Sequence, residues 1–249
     1  MLGLNRTRRS WQWHAAGKHP VAPDFIHLRG GTPILEVVAD WMTKGYDALA
    51  GRPQSMVSRY HLWRFWLQGG QADHLICGVV KDSSDRLGRP HPLMIAGSGP
   101  LAHWQRRWPL LAVQLDPLWE EVEQTAARRF DNLRDFGDAV ARLGRPAADE
   151  NTVAAPPSAP IAAERLADCQ NALQSDGRAF IALDDDLAVD PLAKVVAWHT
   201  QLDRCCPEVP RAVFIGGPLE RAHLVIFRHA LATADFIRLW RMHADTKES

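Results

Sequence analysis

The sequence predicts an α+β protein, with a central and largely antiparallel sheet flanked by helices in a layered sandwich. Three observations carry this expectation. Apolar runs at 61–67, 75–80 and 93–96 follow one another with only polar or glycine-bearing segments between them, as consecutive antiparallel strands do. Segments starting near 32, 116 and 132 place apolar residues at helical spacing behind residues that cap helices. The last third reads helix, strand, helix, strand, strand, helix, which is the order of a mixed layered unit. With 249 residues and 46% hydrophobic composition, the chain can bury a sizeable core, and global disorder is excluded.

In chain order, residues 11–14 read as a short strand, and 17–25 are rich in turn residues. A helix follows. Thr32 suits its N-cap, Pro33 its first position and Glu36 its first turn. Ile34, Val38, Trp41, Met42 and Leu49 form its apolar face, and Gly51 and Pro53 end it. Along 61–67 the alternation puts Trp63, Phe65 and Leu67 on one face and Leu62, Arg64 and Trp66 on the other. Arg64 on such a face implies either a carboxylate partner or a place at the sheet margin. The third strand should stop at the Gly97-Ser98-Gly99-Pro100 run, whose lone G-x-G lacks the frame of a nucleotide site. Residues 101–115 read as a helix broken at Pro109. Asp116 then reads as the cap of a new helix, with Pro117 first and Glu120 and Glu121 in the first turn. One more helix over 132–143 carries Phe136, Val140 and Leu143 on one side, and these helices should cover one face of the sheet.

Residues 145–163 hold Pro146, Pro156, Pro157 and Pro160 among alanines, the composition of a linker or mobile loop. The expected organisation is therefore an N-terminal core over 1–145, a linker over 146–163 and a C-terminal part over 164–249, packed together as one compact unit. In the last part, helices start near Glu164, Pro191 (capped by Asp190) and Thr233. Strands are expected at 179–183, 211–215 and 223–227.

The formal net charge is zero, which argues against a nucleic-acid footprint or a polybasic membrane anchor. No run approaches the length of a membrane span, and the basic residues 1–14 precede no apolar stretch of the kind a secretory signal needs. A cytoplasmic protein is the expectation. Four cysteines without a C-x-x-C pair predict neither a disulfide framework nor a structural zinc site. Ten tryptophans favour core packing, with several candidates for an interface. Asp184, Asp185 and Asp186 follow a strand and could hold Mg²⁺, although a solvated turn explains them as well. The histidines show no metal-ligand spacing and no G-x-S-x-G elbow is present, so no active site and no cofactor is expected.

The stretch around which these elements are arranged is 82–93, between the second and third central strands. It is longer than a usual hairpin loop, and loops of that length tend to carry function. Asp85 is followed by two candidate partners, Arg86 and Arg89. Gly88 permits a positive φ, and Pro90 and Pro92 stiffen the exit. Asp85 either locks the turn through one of these arginines or takes part in binding directly.

The motifs resemble a known family. The loop Ser83-x-Asp85-Arg86-Leu87-Gly88-Arg89-x-x-Pro92-Leu93 is similar to the S-x-D-R-V-G-R-x-F-P-L signature of the TagF/ImpM family, associated with bacterial type VI secretion. Trp63-Arg64-Phe65-x-Leu67 resembles its W-R-F-x-L strand, and Gly17-Lys18-x-Pro20…Asp24-Phe25 its N-terminal G-K-L-P-x-x-G-D-F. The chain departs from these patterns. Ala22 stands where arginine is frequent, Pro23 where glycine is usual, Asp82 replaces a proline and His91 an aromatic residue. The resemblance implies a single α/β unit and a non-enzymatic, cytoplasmic, post-translational repressor of the secretion machine. It implies a forkhead-associated (FHA) scaffold protein as partner. Lys18, Asp24, Asp85, Arg86, Gly88 and Arg89 are the motif positions from which partner contacts would come, and the two motifs holding Asp24 and the arginines are expected to meet. A monomer or weak dimer is expected. Two other readings stand beside this one: a hydrolase or nucleotide-dependent enzyme using Asp85, Asp184 or Asp186, and a structural subunit of the apparatus.

Overall fold

The computed structural model describes residues 11–28, 32–50, 60–147, 161–183, 190–206 and 208–242. Among these residues, eight strands form one sheet: β1 (Gln12–Gly17), β2 (Ile26–His27), β3 (His61–Gln68), β4 (His74–Lys81), β5 (Leu93–Pro100), β6 (Arg178–Ala182), β7 (Ala212–Pro218) and β8 (His223–Phe227). Their spatial order is β2-β1-β5-β4-β3-β7-β8-β6, and neighbours pair antiparallel. The predicted meander of three central strands is β3-β4-β5. β3 also pairs with β7, with Trp66 opposite Val213, so strands from both ends of the chain share one sheet.

Six α-helices among the described residues pack on it: α1 (Pro33–Ala50), α2 (Leu111–Ala127), α3 (Leu133–Ala141), α4 (Ala163–Ser175), α5 (Pro191–Cys205) and α6 (Thr233–Trp240). The alternation read along 61–67 separates two cores. Leu62 and Trp66 face one core with α2, α3, α4 and α5. Trp63, Phe65 and Leu67 face the other with α1 and α6. The result is the layered α+β sandwich. Eight of the ten tryptophans are buried, and only Trp11 and Trp41 are partly exposed, so the tryptophan content reflects core rather than interface.

Three boundaries differ from expectation. α2 runs unbroken through Asp116 and Pro117, following a 3-10 segment over Trp104–Leu110. Its stripe of Leu111, Leu115, Leu118, Trp119, Val122 and Ala126 is buried over the helix's full length, and that burial outweighs one missing backbone donor. β5 continues through Gly97 to Pro100 because the glycines leave room for indoles: a Cβ at Gly97 would meet the Trp13 ring at 2.9 Å. β7 likewise continues through Gly216, Gly217 and Pro218, which pair with Trp63, Leu62 and His61. Most of the proline-rich segment, residues 148–160, lies outside the described residues, as do 184–186.

The α1–α6 contact is close at Gly45, where a Cβ would fall 2.4 Å from Phe236. We expect Gly45→Val to destabilise the protein by about 1–3 kcal/mol, the usual cost of overpacking, read as a lowered denaturant midpoint with an unchanged slope.

Candidate functional site

The central loop is built from the inside outward on Asp85. Its Oδ1 accepts the Leu87 amide at 2.9 Å and the Arg89 amide at 3.0 Å, an Asx-type turn. The Gly88 amide donates to the Asp85 carbonyl at 2.9 Å, and Gly88 takes a φ of 78°, which glycine adopts without strain. Asp85 Oδ2 takes the Arg89 Nε at 2.7 Å and the Lys18 ammonium at 3.1 Å. The carboxylate is fully buried. Burial opposes its charge, but the Arg89 amide, the Lys18 ammonium, the Arg89 guanidinium and the Leu87 amide outweigh that and hold its pKa down at about 2.

Lys18 comes from the N-terminal motif, so this carboxylate joins the two motifs. Gly17 precedes it at a φ of 112°, against the Pro92 backbone, where a Cβ would overlap the Pro92 carbonyl. The Lys18 amide donates to that carbonyl at 3.3 Å and the Arg86 amide to Ala22 O at 2.8 Å. The Arg89 guanidinium reaches Pro23 O at 2.7 Å and Asp24 at 3.6 Å. Asp24 and Arg89 therefore meet, as the motif reading expects, while the Arg86 side chain stays exposed. Of the six motif residues, Lys18 and Asp85 are buried and shape the loop, and Asp24, Arg86, Gly88 and Arg89 are exposed.

Two apolar side chains complete the surface. Phe25 is 54% exposed and Leu87 67%. The Lys18 ammonium lies 4.9 Å from the centre of the Phe25 ring, and His91 meets Phe25 and Tyr46 edge-on at 4.7 and 4.8 Å. Sequence reasoning passed over both. Leu87 offered a signal, as a large apolar residue in an otherwise polar turn, whereas Phe25 follows Val21, Ala22 and Pro23 and precedes Ile26, so nothing local marks it as exposed. The site thus exposes an apolar pair beside two guanidiniums on a base fixed by buried ion pairs, an arrangement suited to protein contact.

The third motif serves the scaffold. Arg64 on β3 forks onto Glu123 of α2 at 2.6 and 3.0 Å and reaches Asp116 at 2.5 Å. Asp116 is thus Arg64's partner and not a helix cap. Burial disfavours the guanidinium's charge, but the two carboxylates outweigh that and raise its pKa. Asp82, where the family has proline, accepts the His61 amide at 2.8 Å, the His61 ring at 2.9 Å and the Trp240 indole at 2.8 Å. It fastens α6 to the sheet. Among the described residues, no three His, Cys, Asp or Glu side chains group as a metal site, and no helix is long and apolar enough to cross a membrane.

A family model described as the TagF N-terminal domain, type VI secretion system-associated, matches residues 15–145, more than half of the chain. The chain belongs to this family and is a type VI secretion system-associated protein. The match spans all three motifs and ends before the proline-rich segment. The structure is similar to the crystal structure of PA0076 from Pseudomonas aeruginosa PAO1, with a TM-score of 0.53 and 21% identity over 92% of this chain and 93% of that one. That likeness is one of fold. No curated protein matches the sequence.

The depressed Asp85 pKa fixes a pH dependence. A carboxyl lowered by folding stabilises the folded chain above its unfolded pKa of about 3.9 and loses that contribution as pH falls toward the folded value of about 2. His19, held to about 4 by burial and then by Lys81, and His199, held to about 3 by burial, act earlier: each resists protonation once pH drops below the ordinary histidine value. We expect unfolding midpoints to decline in two stages below pH 6.5. Asp85→Asn should lower the midpoint at pH 7 and flatten only the stage between about pH 4 and 2. An unchanged lower stage in that variant would remove Asp85 from the pH response.

Proposed function

We propose that this chain is a post-translational negative regulator of a type VI secretion system. It acts in the cytoplasm by binding an FHA-domain scaffold protein of the same apparatus, as a monomer or weak dimer, and catalyses nothing. The reading rests on the family and on one observation, the exposed face of the central loop. There Arg86, Arg89, Phe25 and Leu87 surround a turn held by the buried Asp85 carboxylate, whose oxygens are satisfied by Lys18, Arg89 and two loop amides. Asp85 is buried under Lys18 and Arg89 and holds the loop, which leaves the Arg86 side chain, the exposed part of Arg89, Phe25 and Leu87 to meet a partner. Arginine and aromatic side chains are enriched where interfaces draw most of their energy.

Reversing the loop's charge tests this. Arg86→Glu/Arg89→Glu should weaken scaffold binding at least tenfold, about 1.4 kcal/mol, and de-repress secretion in the host. Because Arg89 also holds Asp85, Leu87→Asp provides the control: its exposed side chain can change with the melting temperature intact, and binding should fall with it. Variants with native stability that still bind and repress would take this loop out of the interface. Hydrolytic turnover of a phosphate ester or nucleotide that disappears in Asp85→Ala would overturn the non-enzymatic reading.

A further inference from the structure

At position 91 this chain carries a histidine where the family pattern has an aromatic residue, and the ring is only 2% exposed. Its Nδ1 lies 2.8 Å from the Pro92 carbonyl, which can only accept, so Nδ1 carries the proton of the neutral ring and Nε2 is left as a bare lone pair. Nε2 is buried and has no hydrogen-bond partner among the described residues. The ring is wedged between Phe25 at 4.7 Å and Tyr46 at 4.8 Å. These walls are not equally firm. Tyr46 belongs to α1 and Pro92 leads directly into β5, whereas Phe25 is 54% exposed. Phe25 is the wall that can yield.

A proton on Nε2 would bury a charged donor with no acceptor, which is a costly state. The surrounding charges do not relieve it. From the end of β1, the Lys18 ammonium stands 4.9 Å from the centre of the Phe25 ring and opposes a second cation there. From α1, Asp47 favours the proton, but it is exposed and screened by water. Tyr46 is kept neutral by burial and by the charges of Asp82 and Asp47. From the central loop, Asp85 is taken by Lys18 and Arg89, and Asp82 by His61 and Trp240. Asp24 is turned to Arg89. Burial therefore holds the His91 pKa below the ordinary histidine value, opposed by the Pro92 carbonyl and Asp47 and reinforced by Lys18.

We propose that His91 is the positioning residue for Phe25 and makes the partner surface acid-sensitive: the neutral ring holds Phe25 in place, and the protonated ring displaces it so that water reaches Nε2. The sign follows from the burial. The neutral ring prevails above the folded pKa, and the displaced form grows as pH falls through it. A partner that reads Phe25 in its held position is then bound less tightly in acid. A phenylalanine or tyrosine at 91 would have no proton to gain in this range, so the response belongs to this chain's own departure from the family pattern. The proposal rests on the regulatory reading only for the identity of the partner, because the control of Phe25 is a property of the chain alone.

Two measurements on the full chain test it. In the first, the chain is labelled with fluorophenylalanine, the Phe25 signal is assigned by Phe25→Leu, and its broadening by a soluble neutral gadolinium chelate is followed by fluorine NMR. Between about pH 7.5 and about pH 5 the broadening should rise about twofold, the step from a half-exposed to a fully exposed ring, while the signals of the buried Phe65, Phe136 and Phe214 stay unchanged and report an intact fold. His91→Phe, and His91→Leu as a second variant without a titrating ring, should abolish the rise. In the second, the scaffold's dissociation constant should increase about threefold or more over the same range for the wild-type chain, and the ratio between the two pH values should shrink in both variants. A Phe25 signal that does not respond to pH, or one that responds equally in the variants, overturns the proposal. So does scaffold binding whose pH ratio is the same in all three chains. Absence of scaffold binding at every pH, with the Phe25 response present and dependent on His91, would sink the regulatory reading and leave the control of Phe25 by His91 standing.

Discussion

The Asp85 carboxylate gathers two backbone amides, a lysine and an arginine, and the last two belong to segments separated by 71 residues. Buried charge is tolerated only when it is paired and hydrogen-bonded. Once Asp85 is buried, therefore, Lys18, Arg89 and the turn between them must all be in place. The consequences spread outward. Lys18 brings Gly17 against the Pro92 backbone, Arg89 holds Pro23 and Asp24, and Arg86 and Leu87 are left pointing outward at the tip. A loop of this length acquires one shape without needing an apolar core of its own.

The same device recurs where helices meet the sheet. Arg64 crosses from β3 to two carboxylates of α2, and Asp82 crosses from the end of β4 to the Trp240 indole of α6. Each lies on a different face, so each helical layer is keyed to the sheet by directional bonds in addition to apolar burial. Apolar contacts alone tolerate sliding, whereas a forked guanidinium does not. The departures from the family pattern fit this picture. Asp82 donates its amide to His61 O, which a proline could not do, and its carboxylate adds the tie to Trp240. His91 occupies the aromatic slot between Phe25 and Tyr46. Pro23 and Ala22 contribute carbonyls, which any residue supplies.

The fold was legible in the sequence wherever periodicity and burial agreed. The two-faced strand at 61–67, the capped helices starting at Asn132 and Asp190, and the inward residues of α6 could all be read directly. It was not legible where long-range contacts override local signals. Asp116 followed by Pro117 is a strong local start signal for a helix, but the partner that claims Asp116 lies 52 residues away. Glycines at 97, 99, 216 and 217 look like chain breakers until the tryptophan rings packed beside 97 and 99 and the strand opposite 216 and 217 are known. At the candidate site, the ionic residues were legible, and of the apolar ones only Leu87 carried a local signal. Charge partners can be paired from composition alone, but exposure of Phe25 and Leu87 depends on which side of the turn faces solvent.

Rigidity and exposure have different sources in this loop, and that separation has a functional consequence. The Asp85 carboxylate and Lys18 that fix its shape are buried and paired, and the side chains that could touch another protein make almost none of the fixing bonds, Arg89 excepted, since Arg86 and Leu87 contribute backbone amides only. A surface prepared in this way loses little conformational freedom on binding, which is where much of the cost of association lies. It also lets the exposed positions change in sequence without unfolding the base. Arg89 bridges the two roles, because its amide and Nε hold Asp85 while the rest of its guanidinium faces Asp24 and solvent. Partner binding that drew the Arg89 guanidinium away from Asp85 would leave the buried carboxylate with the Lys18 ammonium and backbone amides, so occupancy of the surface and stability of the loop are physically coupled through this one side chain.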